Sequence, residues 1–278
     1  MWIQSMIFDP GGAVSRMLAY VAPAPTDAVT ALGADVLASF SALSRVHADG
    51  WGAAWRTATA VSTRVVAGRP ATRADLAGAV ATPTTAALLY LRFGSSGTGT
   101  TEAEAQPFLA GDAAFQHNGA LSPPDRLRAA LTPEERGGLR GGNDSELYFA
   151  RLRRALTPGA DIDPTRIADA VATVRALFPD ACLNALLLTP RVLIAVHSSA
   201  GRPAPLAAFA ARGLDVSTLP PGHGDGYNRL FTRRTAAGAR VVATTGIPLD
   251  GWEALPDDAV SMVTPAGLAS VPLPPPAA

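Results

Sequence analysis

Apolar positions along the chain fall into two kinds of run. Short, nearly continuous runs predict buried strands at 15–21, closed by Pro23 and Pro25, and at 86–93, 183–189 and 192–197. Looser alternation adds strands at 60–67, 230–235, 240–245 and 259–263, and a short one from Asp112 that stops at Asn118-Gly119. The other kind of run has helical spacing. Over 27–46, Val29, Leu32, Val36, Leu37, Phe40 and Leu43 share a face, and Thr26 or Asp27 caps the helix. Further helical segments are predicted at 73–80, 126–131, 133–139 and 164–178. Another begins at Asn143 or Asp144, with Glu146 in its first turn. Helices grouped between runs of strands predict an α+β layered domain in preference to regular βαβ alternation.

The ends of the chain carry less pattern. Residues 1–14 lack periodicity and contain Asp9-Pro10-Gly11-Gly12, so they read as an extension preceding the domain. Residues 266–278 read as a Pro-rich tail, expected to be disordered from Pro272 onward. The domain itself is expected over 15–265.

Composition narrows the chemistry. Acidic and basic residues number 23 each, so zero net charge gives no reason to expect a nucleic-acid partner. Every basic residue is arginine, which removes lysine nucleophiles and Schiff bases from consideration. The one cysteine, Cys182, lies in an apolar strand context, so neither an intramolecular disulfide nor a Cys-rich zinc site is expected. No apolar run reaches membrane-spanning length and no signal-peptide pattern opens the chain, so the expected location is the cytoplasm. No residue cluster has ligand spacing, and no metal or organic cofactor is expected.

Several short motifs admit two readings each. Asn118-Gly119 fits an ordinary hairpin turn. That is the reading the dipeptide alone favours; the sharper alternative is an oxyanion hole, with an Asn amide and a Gly N–H aimed at one developing charge. Arg92 leaves a buried strand into a Gly/Ser/Thr loop, where its fork could hold a carboxylate or make a surface ion pair. The run 94–99 lacks the lysine and spacing of a phosphate loop. Asp144, at a helix start, reads from the residues alone as a cap. His47 and Asp49 are a weak catalytic pair, with a loop-stabilising role at least as fitting. Trp51, between Gly50 and Gly52, marks a close backbone approach.

The order of these motifs is more specific than any one of them. Ser15-Arg16-Met17-Leu18-Ala19-Tyr20, Asp49-Gly50-Trp51-Gly52, Leu91-Arg92, Gln106-Pro107-Phe108, His117-Asn118-Gly119 and Asn143-Asp144-Ser145-Glu146 occur in that sequence. Together they resemble the class II glutamine amidotransferases, which are N-terminal-nucleophile hydrolases. The likeness is greatest to the compact stand-alone branch that includes the γ-glutamyl amidohydrolase of ergothioneine biosynthesis, and it spans roughly residues 14–265. The resemblance implies a four-layer αββα sandwich. By position it implies that Arg92 binds the α-carboxylate and Asp144 the α-ammonium of glutamine or a γ-glutamyl substrate. It also implies an oxyanion hole of Asn118 and Gly119, and places Trp51 and His117 among the substrate-binding residues. A homo-oligomer or a separate synthase partner receiving ammonia stays open.

The departure from that pattern is the nucleophile. The family uses a cysteine that becomes the first residue, its free α-amine acting as base; here the position is Ser15, preceded by Val14. A free α-amine titrates near ~7.7–8.0 and accepts a proton at neutral pH, whereas an amide nitrogen cannot. Three readings follow: Val14 is a misread start codon, the chain cleaves itself before Ser15, or the site is inactive and the protein binds a ligand or partner.

Overall fold

The computed structural model describes residues 15–80, 82–94, 101–156, 161–224 and 226–275. The 1–14 extension and most of the Gly/Ser/Thr run after Arg92 therefore lie outside the described residues.

Two antiparallel sheets stack face to face. Sheet A has the order β11-β9-β10-β1-β4-β2-β3. Its strands are β1 (Arg16–Thr26), β2 (Gly50–Arg56), β3 (Val61–Ala67), β4 (Thr84–Leu91), β9 (Leu230–Arg234), β10 (Arg240–Thr244) and β11 (Glu253–Ala254). Sheet B has the order β13-β12-β8-β7-β6-β5. It consists of β5 (Phe108–Ala110), β6 (Ala113–Asn118), β7 (Asn184–Leu188), β8 (Leu193–His197), β12 (Ala259–Val263) and β13 (Leu268–Pro272).

Strand alternation assigns each residue to a face. Met17, Ala19, Tyr90, Ala114 and Leu186 meet in the core between the sheets. Leu18, Tyr20, Trp51 and Leu91 face outward from sheet A, under α1 (Ala28–Leu32), α2 (Ala34–Ala42) and α3 (Arg73–Ala79). Phe115, Ala185 and Leu187 face outward from sheet B. They lie beneath the layer of α4 (Asp125–Ala130), α5 (Pro133–Gly137), α6 (Asp144–Arg153) and α7 (Pro164–Leu177). The result is the expected αββα sandwich. One short helix, α8 (Leu206–Ala211), packs Phe209 into a separate aromatic cluster with Phe93 and Tyr227.

Three local expectations change. The helix predicted over 27–46 breaks at Gly33, whose φ of +91° serves as end of α1 and start of α2. Strand β1 runs on through Pro23 and Pro25 to Thr26, with a register irregularity after Val21 where the prolines offer no N–H to the ladder. Finally, the tail expected from 266 begins too early. Residues 268–272 form β13 along β12, and Leu273 is buried with its N–H on the Asp258 carbonyl at 2.7 Å.

Candidate functional site

Ser15 stands at the mouth of central strand β1, just before the Arg16–Leu91 pair. Alternation turns its side chain to the inter-sheet face, with Met17 and the register partner of Met17, Tyr90. The Ser15 Oγ is buried and accepts two hydrogen bonds, from the Tyr90 hydroxyl at 2.6 Å and the Phe93 N–H at 3.2 Å. The Tyr90 oxygen also lies 3.5 Å from the His117 carbonyl, which links the mouth of sheet A to the end of β6 in sheet B.

Asn118 closes β6. Two residues beyond Gln116 and four beyond Ala114, it shares their inter-sheet face. Its side chain is fully buried, and neither Nδ2 nor Oδ1 has a hydrogen-bond partner. Leaving such groups unpaired costs about 1–3 kcal/mol apiece, so the Asn118 amide at the strand end has both a donor and an acceptor to offer a bound molecule. Gln116, one step deeper, is also buried without partners on either side-chain atom.

Gly119 follows, and it does not make a hairpin. The chain leaves β6, runs past Ser122-Pro123 and enters α4. The glycine is required by space: a Cβ would sit 1.9 Å from the Cys182 carbonyl oxygen and 2.6 Å from His117 Nε2.

Arg92 continues the β4–β2 ladder, its N–H on the Gly50 carbonyl at 2.9 Å and its carbonyl receiving the Asp49 N–H at 3.1 Å. One position past Leu91 it shares the face of Tyr90, and it is buried. Asp144 opens α6. Asn143, not Asp144, makes the cap, its Oδ1 receiving the Ser145 N–H at 2.8 Å. The half-buried Asp144 carboxylate instead receives the Leu121 N–H at 2.7 Å. Burial raises the Tyr90 hydroxyl above its ordinary range, the Arg92 charge pulls it down and the Asp144 charge pushes it up. Ser15, Arg92, Asn118, Gly119 and Asp144 thus gather around one sheet end, with Tyr90 in their midst.

Two residues expected at the site lie elsewhere. Trp51 points away from it, into the core under α2 and α3, with Arg64 and Arg69 guanidinium groups 5.3 and 5.6 Å from its ring centre. Its neighbour Gly52 explains the close backbone approach: a Cβ there would stand 2.2 Å from the Gln106 carbonyl oxygen. His117 faces the helical side of sheet B, opposite to Asn118. Its Nε2–H donates to the Cys182 carbonyl at 3.0 Å, which leaves Nδ1 to accept from Ser145 Oγ at 2.9 Å. Its backbone N–H meets Gln106 Oε1 at 2.5 Å. Burial holds its pKa below the usual histidine value despite the opposing Asp144 charge. The neutral ring therefore ties β6, α6 and the approach to β7 together and fixes where Asn118 stands.

The loop-stabilising reading of Asp49 is the one the geometry fits. Its carboxylate receives the Gly94 N–H and an Arg212 guanidinium N–H, each at 2.6 Å. His47 is not its partner. It lies with Arg16, His223, Tyr227 and Thr245 on the outer face of sheet A, a cluster the sequence reading did not foresee. Arg16 is fully buried, stacked 3.6 Å from the Tyr227 ring centre, and donates to the Tyr227 carbonyl at 3.2 Å and to Thr245 Oγ1 at 3.3 Å. His47 and His223 touch through their Nε2 atoms at 3.2 Å. No carboxylate among the described residues pairs with Arg16, and burial brings its pKa down to about 9. Tyr90 also escaped the sequence reading, though it is the one hydroxyl-tipped residue in the apolar part of β4. Among the described residues no group of three or more His, Cys, Asp or Glu forms a metal site, and no helix is long and apolar enough to cross a membrane.

No protein-family model matches the chain, and no curated protein sequence matches it. Solved structures do. A glutamine aminotransferase class-II domain protein from Silicibacter pomeroyi is 18% identical with a TM-score of 0.59, the match covering 94% of this chain and all of the other. The glutamine phosphoribosylpyrophosphate amidotransferase of B. subtilis is 14% identical, also at a TM-score of 0.59. That match covers 93% of this chain and 49% of the other, so the present chain spans about half of that enzyme. A predicted glutamine amidotransferase from Pseudomonas aeruginosa, 17% identical, gives 0.51 over 91% of this chain and 98% of its own. The chain therefore has the fold of class II glutamine amidotransferase domains.

Proposed function

We propose that the protein is an amidohydrolase of the class II glutamine amidotransferase type, cleaving a γ-glutamyl amide through a Ser15 acyl-enzyme. The observation that carries the reading is the buried, unpartnered Asn118 amide, beside a glycine and across from the Ser15–Tyr90 pair. In this reading Ser15 Oγ attacks the γ-carbonyl while the Ser15 α-amine takes its proton. The carbonyl oxygen, now negative, is met by Asn118 Nδ2–H and the Gly119 N–H. The α-amine returns the proton to the leaving nitrogen, and water then releases glutamate by the reverse sequence. Arg92 holds the α-carboxylate and Asp144 the α-ammonium. In this reading the protein is a stand-alone hydrolase of the γ-glutamyl amidohydrolase branch working in the cytoplasm; the shared fold over 94% of this chain and all of a class II domain protein is what supports the class. Transfer of ammonia in place of hydrolysis would require a synthase partner.

The mechanism needs Ser15 to carry a free amine. The test is intact mass and N-terminal sequencing of protein made from its native gene, followed by turnover of glutamine and a γ-glutamyl anilide. A chain beginning at Ser15 that releases glutamate is the expected result, and Asn118→Ala should lower kcat by about 10²–10³-fold. A chain retaining Val14 and hydrolysing nothing would replace this reading with the second one, a protein that binds a γ-glutamyl or amino-acid ligand or a partner. The peptide bond between Val14 and Ser15 in the sequence is what favours that second reading.

A further inference from the structure

Tyr90 has a role to fill at the nucleophile. Its neighbours in β4 are Thr, Ala and Leu, and its ring lies in the inter-sheet core while its hydroxyl reaches the strand end. We propose that Tyr90 is a catalytic hydrogen-bond donor to Ser15 Oγ, and that its spacing suits an oxygen nucleophile in place of sulfur. This rests on the reading of Ser15 as nucleophile.

A serine oxygen has two lone pairs and one proton. The Tyr90 O–H and the Phe93 N–H occupy both acceptor positions, so the proton of Ser15 is turned outward to whatever base is present. When that proton leaves for the α-amine, the charge left on Oγ is already met by two donors. The longer Phe93 bond yields its lone pair to the new C–Oγ bond, and the Tyr90 bond persists. On deacylation the C–Oγ bond breaks, its electron pair returns to Oγ beside the Tyr90 O–H, and the α-ammonium restores the proton. Tyr90 keeps its own proton throughout, as its burial favours. The 2.6 Å separation falls in the range of bonds to a negatively charged oxygen, about 2.5–2.7 Å. A sulfur, larger and farther from Cβ, does not fit at that distance without displacing the phenol.

The experiment compares full-length wild type, Tyr90→Phe, Ser15→Cys and the double variant, each processed identically. Two rates are read: turnover of a γ-glutamyl anilide, and covalent modification of Ser15 by an aromatic sulfonyl fluoride, followed by intact mass and peptide mapping. Tyr90→Phe should lower kcat and the sulfonylation rate by about 10–100-fold, the worth of one hydrogen bond to a charged group, with KM within about twofold. In the Ser15→Cys background the same substitution should leave turnover unchanged or raise it. Equal sulfonylation of wild type and Tyr90→Phe, an unreactive wild-type Ser15, or the same loss in the cysteine background would each overturn the proposal. Slower sulfonylation in Tyr90→Phe with no anilide cleaved by any variant would sink the amidohydrolase reading and leave the activation of Ser15 standing. Should Tyr90→Phe not fold, 3-fluorotyrosine at position 90 keeps the packing and strengthens the donor. It should then speed sulfonylation, and an unchanged rate would count against the proposal.

Discussion

At Gly119 the strand end of β6 and the backbone approaching β7 come so close that any side chain would overlap the Cys182 carbonyl. The φ of Gly119 is not in the left-handed region, so torsion is not the reason for glycine here. Relief requires moving β6 away from Cys182, and His117 resists this because its Nε2–H is already bonded to the same carbonyl. Gly119→Ala should therefore cost about 1–3 kcal/mol of stability, the range for forcing atoms into a filled core. It should also reduce turnover, since the shift carries Asn118 with it. Denaturant unfolding together with anilide hydrolysis checks this, and wild-type values in both would show that the backbone absorbs the methyl group. His117 illustrates the same point from the other side. The tripeptide His117-Asn118-Gly119 looks like one functional unit in the sequence, yet alternation along β6 sends His117 and Asn118 to opposite faces.

At the scale of elements, α8 and the Arg212 that follows it are seated against the end of sheet A. Arg212 binds the Asp49 carboxylate at 2.6 Å, lies 3.9 Å from the Phe93 ring centre and donates to the Gly94 carbonyl. Phe209 completes the seat against Phe93 and Tyr227. Phe93 and Gly94 directly follow Arg92, and the Phe93 N–H is one of the two donors on Ser15. Arg212→Ala should thus affect the site more than the fold. A partly exposed ion pair and a cation–π contact are each worth about 1 kcal/mol or less, so the melting temperature should fall by only a few degrees. KM for a γ-glutamyl substrate should rise several-fold as Arg92 loses its support. An unchanged KM would mean that the strand ladder alone positions Arg92.

For the whole molecule, stacking two sheets between helical layers buries all four histidines: His47, His117, His197 and His223. Burial is the leading cause in each, and each has a pKa below the ordinary histidine value, His223 down to about 3. The unfolded chain takes up these protons near pH ~6.5, while the folded one takes them up only at lower pH. Between pH 7.5 and 4.5 stability should fall as the pH drops below ~6.5, with His223 contributing further down to about pH 3. Each proton contributes up to about 1.4 kcal/mol per pH unit, and Asp257, 3.6 Å from His197, works in the opposite direction there. Denaturant unfolding at pH 7.5, 6.5, 5.5 and 4.5 measures the slope. A flat profile between the last three would show that the buried rings protonate without opening the fold.

Much of this was written in residue order. Strand and helix periods marked most of the elements, and grouped helices between strand runs marked the α+β class, because burial of one face imposes its period on any sequence that folds this way. Motif order also picked out Ser15, Arg92, Asn118, Gly119 and Asp144, which the structure gathers at one sheet end. What the sequence could not state is which face each residue takes and what crosses between the sheets. Strand β13 was hidden because its stability comes from pairing with β12 and not from its own apolar pattern, which Pro272 and the prolines after it obscure. Trp51 was misplaced because a tryptophan between glycines looks the same whether the ring or the backbone approaches the site. Tyr90 and the Arg16–His47–His223 cluster depend on long-range contacts, 75 positions for Tyr90 with Ser15 and 176 for His47 with His223, and on two sheets meeting at their ends. Local pattern determined the layers; the meeting of strand ends, which only tertiary packing decides, placed a phenol on Ser15 and left the Asn118 amide without a partner.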